Sequence, residues 1–169
     1  MARPATTEYA SFYTNYVNKT NVNTVQELIE TYSNTLNNFF NNLPEEKADF
    51  AYAENKWTVK DLLQHIIDTE RIFTYRALRF ARKDTTPVAG FEENEYALNA
   101  NASNRTLEEL KDEFLAVRKS TDIFLKSLTD EQLMQFGTAN GNAISVNAIA
   151  FIIFGHILHH KNILEERYL

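Results

Sequence analysis

The chain contains no cysteine. That excludes disulfide cross-links, thiolate nucleophiles and Cys-ligated zinc, and the fold needs no oxidising compartment. Only four glycines and three prolines occur in 169 residues. So few breakers favour long helices over many short strands. No segment is strongly basic, and the formal net charge is -6. Binding to nucleic acid by phosphate neutralisation is therefore not expected, nor is docking on an anionic membrane. Long hydrophobic runs are missing too. The longest, Ala148 to Leu158, is interrupted by Gly155 and His156; it is too short to span a bilayer and reads as a buried helix. The opening MARPATTEYASFY has one Arg and no apolar stretch of the secretory type, so a cytoplasmic location is expected.

What is present suits one helical domain over residues 1–169. The hydrophobic fraction is 44%, with twelve Phe and eight Tyr to fill a core. Four segments carry helical periodicity. The first, about Thr24 to Leu43, aligns Val25, Leu28, Ile29, Tyr32, Leu36, Phe39 and Phe40 and stops at Pro44. The second begins at Thr58, with Asp61 three residues on and Trp57 placed to staple onto Leu62; it continues to about Arg82. The third opens on Thr106 and Glu109, a capping box, and runs to Leu128. The fourth spans about Ser145 to Tyr168. Lys83 to Arg105 reads as a connection, and Gly137 to Asn142 (GTANGN) as loop composition. Tyr9, Phe12, Tyr13, Tyr16 and Val17 mark an N-terminal arm, residues 1–20, that packs on the rest. The expectation is an all-α four-helix bundle with no sheet.

Three of the four histidines fall in GHILHH, inside the most apolar helix. His156 and His160 stand one turn apart on one face. Their row, with Ile149, Ile153 and Ile163, is otherwise apolar, whereas the His159 row ends in Asn162 and Glu166. His156 and His160 are thus the core-facing pair, and His159 faces a loop or solvent. His65, on the second helix beside Ile66, is also core-directed. Three imidazoles from two helices leave coordination positions open, as in catalytic metal sites. Such donors suit zinc, nickel, copper or iron rather than magnesium or calcium. Packed core histidines remain the competing explanation of the same pattern.

Several blocks in order resemble the DinB-like family: RP…EYASFYTNYV, WTVKDLLQHIIDTERIF (Trp57 to Phe73), RALRFARKD (Arg76 to Asp84), and GTANGN followed by GHILHHKNILEERYL. The resemblance implies a DinB-like four-helix bundle whose metal triad falls on His65, His156 and His160. It implies one divalent transition metal, zinc or nickel ahead of iron or manganese. It further implies a metal-dependent enzyme, of hydrolase or thiol S-transferase type, acting on a small molecule; a low-molecular-weight thiol is one candidate partner, and a homodimer the expected assembly. A non-catalytic bundle with a structural or stress-related role is the alternative. Substrate contacts have few candidates. Arg76 can meet an anion, although a surface or interface charge is its simpler explanation. Glu92, Glu95 and Asn142 sit where connections can reach a bundle mouth. Glu70 and Arg71 match an acid–arginine pair of the family and equally fit a structural ion pair. No general base is assigned.

Overall fold

A computed structural model describes residues 1–169. After two short 3₁₀ turns the arm forms one helical turn, α1 (Thr14–Val17). Two long helices follow, α2 (Val25–Asn41) and α3 (Val59–Ala81), then a short α4 (Glu93–Ala100) and a third long helix, α5 (Leu107–Lys126). One turn, α6 (Asp130–Leu133), precedes a hairpin of β1 (Phe136–Ala139) and β2 (Asn142–Ser145), which feeds directly into α7 (Val146–Arg167). Each long helix starts where its cap residue dictates. Thr24, Thr58, Thr106 and Ser145 accept the backbone N–H three residues ahead, and Asp61 and Glu109 reach back to complete capping boxes.

The four long helices pack as a bundle through the pairs α2–α5, α3–α5, α3–α7 and α2–α7. Leu28, Leu36, Phe40, Leu63, Ile66, Ile67, Phe80, Phe114, Phe151 and Phe154 fill the core. Helix α7 is buried on every side from Val146 to Ile157, because the bundle covers one face and α1 the other. That enclosure is why its sequence lacks a polar stripe. Gly155 permits the close approach: a Cβ there would collide with the Tyr16 carbonyl oxygen. Arg3 ties down the arm, donating to the carbonyls of Val17, Thr20 and Val22. No helix is long and apolar enough to cross a membrane.

The expected bundle is present, but two features correct the sequence reading. GTANGN is not a loop, and the chain is not free of sheet. Asn140 and Gly141 both take positive φ, 48° and 73°, the requirement of a two-residue hairpin turn that matches strand twist. The strands pair Phe136 with Ser145 through to Ala139 with Asn142. The 83–105 connection also contains α4, whose Tyr96 and Leu98 are exposed, so no apolar stripe announced it. Val88 joins the hairpin edge, donating to Thr138 O at 2.9 Å and accepting from Asn140 N at 3.0 Å. This pins the α3–α4 connection over the end of α3.

Candidate metal centre

His65 comes from α3, and His156 and His160 from successive turns of α7. All three are buried, and their ring nitrogens lie within 4.8 Å of one another. His156 Nε2 stands 3.0 Å from His65 Nε2 and 3.1 Å from His160 Nε2. Trp57 packs on the His65 ring, 4.7 Å between centroids. Tyr16 meets His156 and His159 edge-on, each at 5.5 Å. His159 is half-buried against the arm, outside the convergent set.

Burial, foremost, holds the His65 imidazole down to about 4, and holds His156 and His160 well below the ordinary histidine value. The cluster is therefore neutral at pH 7. A neutral ring nitrogen carries either one proton or one lone pair. His156 Nε2 can thus make one good hydrogen bond, yet it has two close nitrogen neighbours. Ring protons alone cannot satisfy both contacts. A cation between the three nitrogens satisfies all of them at once. At a metal–nitrogen distance of about 2.0 Å, tetrahedral neighbours stand about 3.3 Å apart, close to the spacing found. His160 turns its Nε2 toward His156, while its Nδ1 is buried without a partner. The donor set fits a borderline transition metal such as zinc.

His65 and His156 form part of the wall of a cavity of about 210 Å³. Thr69, Phe73 and Arg76 of α3 extend that wall, the arm adds Phe12, Tyr13 and Tyr16, and the pinned connection adds Gly90 and Phe91. Burial raises the Tyr13 and Tyr16 phenols above their ordinary value, the Arg76 guanidinium opposing this at Tyr13, so both keep their protons. His160 borders a separate cavity with Trp57, Leu62 and Tyr168.

The other sequence candidates divide. Arg76 is 2% exposed, so the surface-charge explanation is wrong for it: the 83–91 connection folds back over the side chain, and Nη2 donates to Ala89 O at 2.9 Å. Glu92 instead caps α4, accepting from Asn94 N, and is exposed. Glu95 lies by Asp68 at a different surface hollow. Asn142 is exposed and donates to Asn140 O at 2.8 Å; Glu93 and Asn140 are the neighbours that reach the cavity. Glu70 bonds to the fully buried Arg118 at 2.6 Å, and Arg71 to Glu113, so both join α3 to α5. Sequence reasoning missed Thr69 and the two arm tyrosines. Thr69 had a usable signal, since His65, Thr69, Phe73 and Arg76 share one face of α3 at spacings of four, four and three.

Comparison with known proteins agrees with this architecture. YfiT from Bacillus subtilis, described as a probable metal-dependent hydrolase with an unusual four-helix bundle topology, superposes with a TM-score of 0.70 at 14% identity, over 96% of this chain and 89% of that one. At that identity the likeness speaks for the fold. A protein of Oceanobacillus iheyensis, OB0413, to which metal-dependent hydrolase activity is ascribed by name, is 29% identical over 140 residues, 78% of this chain and 76% of the relative. The model of the DinB superfamily matches residues 27–164, a span that holds all three clustered histidines. The chain belongs to the DinB superfamily.

Proposed function

We propose that His65, His156 and His160 hold one divalent transition metal, zinc or nickel before iron or manganese, and that the site hydrolyses a small molecule. The carrying observation is the convergence of three Nε2 atoms, whose contacts ring protons cannot all satisfy, with His65 and His156 in the wall of a cavity. The hydrolase names of OB0413 and YfiT support the same direction. When bound, the ion supplies Lewis-acid polarisation and a water ionised near neutral pH. The chain's own groups do the rest. Neutral, buried imidazoles present lone pairs without competing for protons at pH 7. Phe12, Phe73 and Phe91 restrict water around a bound molecule. Tyr13 and Tyr16, kept protonated, offer O–H donors to it.

The test is turnover of zinc- or nickel-loaded protein against esters and amides, with a low-molecular-weight thiol as an alternative acceptor. Hydrolysis by the wild type and His159→Ala, lost in His156→Ala, is the expected result. Full metal loading with no turnover of any substrate would favour a structural metal. Turnover only with the thiol would assign the transferase chemistry instead.

A further inference from the structure

We propose that the Arg76 end of the cavity is a carboxylate-binding subsite, so that the molecule handled at the histidine cluster is a carboxylate on an apolar body. The assignment of a substrate rests on the hydrolytic reading above; the binding of a carboxylate by Arg76 does not.

Four cationic side chains are buried: Lys60, Arg76, Lys111 and Arg118. Three have an acid beside them. Lys60 pairs with Asp49, Lys111 with Glu108, and Arg118 with Glu70 and Asp122. Arg76 has none, although it is 2% exposed. A buried cation without a counter-charge is costly, and an anion arriving from solution removes that cost. The surroundings position Arg76 without neutralising it. Ala89 O takes one N–H, and the Phe73 and Phe91 ring centroids lie 5.2 Å and 5.9 Å from the guanidinium carbon. Its Nε has no hydrogen-bond partner. Thr69, 4% exposed and also lining the cavity, likewise has an unpartnered hydroxyl oxygen. Unmet polar groups on one wall describe a ligand's polar end, and the phenyl rings describe its body.

The dimensions and charge narrow the class. Arg76 lies eleven positions beyond His65, about 16 Å along the helix axis. Long helical side chains lean toward the N-terminus, so the guanidinium sits nearer the histidines than its Cα does. His65, His156 and Arg76 line the same cavity of about 210 Å³, which takes one compact molecule. Glu93 shares the lining, and its carboxylate opposes a second negative charge. A carboxylate meets the guanidinium fork in a bidentate pair with a single negative charge, so the Glu93 carboxylate in the same lining disfavours it less than a phosphate dianion.

Calorimetric titration of metal-free protein with phenylacetate, phenylacetamide and inorganic phosphate tests the subsite without recourse to turnover. Phenylacetate should bind, with the neutral amide weaker by about tenfold or more, the worth of a charge-assisted hydrogen bond. Arg76→Met should lose phenylacetate binding by a similar factor while still taking up zinc as the wild type does. Arg76→Lys should retain part of it, and serves as the deciding variant if Arg76→Met does not fold. Thr69→Val should weaken binding less. Equal affinity for acid and amide, or an Arg76 variant that folds and binds undiminished, overturns the proposal; so does phosphate binding tighter than phenylacetate. Failure of the wild type to load zinc while phenylacetate binding survives would refute the metal reading and leave the subsite standing.

Discussion

His156 is where two short nitrogen contacts meet a single ring valence. The same burial that forces a neutral cluster makes the metal-free protein sensitive to acid. An unfolded histidine takes up its proton near pH 6.5, whereas folded His65 does so only at about 4. Between those values the unfolded chain binds more protons, so folding free energy declines as pH falls through that window and is unaffected above it. His65 alone accounts for about 3 kcal/mol at the lower end, and His156 and His160 act in the same direction. Urea unfolding of chelator-treated protein between about pH 7 and pH 4 should show this loss, and His65→Gln should make the profile shallower. A profile that is already flat in the wild type contradicts the burial of neutral rings. Of the residue-scale assignments, the histidines were legible because helical spacing alone sets their facing. Arg76 stood among the candidates, but its burial was not legible, because its cover comes from a connection held down by distant hairpin hydrogen bonds.

Helix α3 serves both the cavity and the core. One face presents His65, Thr69, Phe73 and Arg76 to the cavity. Another carries Glu70, bound to Arg118 of α5 with Phe154 beneath the guanidinium. Removing one partner of a buried pair leaves the other charge unpaired, so Arg118→Met should destabilise by about 3–5 kcal/mol. The double replacement with Glu70→Gln should recover much of that. Denaturant midpoints measure both, and an unchanged Arg118→Met midpoint would remove this pair from the core's energetics. Thr58→Ala should cost about 1 kcal/mol through the lost cap at the start of α3. The long helices were readable because caps and apolar stripes are local. Helix α4 was not, since its apolar residues stay exposed, and the hairpin was missed although Asn140-Gly141 is a strong local turn signal.

For the whole molecule, the site depends on segments far apart in sequence closing around α7. The arm roofs the cavity only because Gly155 lets the Tyr16 backbone approach. Gly155→Val should push the arm away at a cost of about 1–3 kcal/mol and expose residues 1–20 to limited proteolysis. An arm that stays protected would contradict the packing. The bundle was expected from the sequence, yet the cavity was not, because its walls combine arm, α3, connection and hairpin. A metal held by His65, His156 and His160 registers first in the metal content of the purified protein. The wild type and the four single His→Ala variants should be stripped, reloaded with zinc and analysed alike. One ion per chain in the wild type and His159→Ala, with sharp loss in His65→Ala, His156→Ala and His160→Ala, is the predicted result. Equal content in all five, or loss in His159→Ala with retention in His160→Ala, would contradict it.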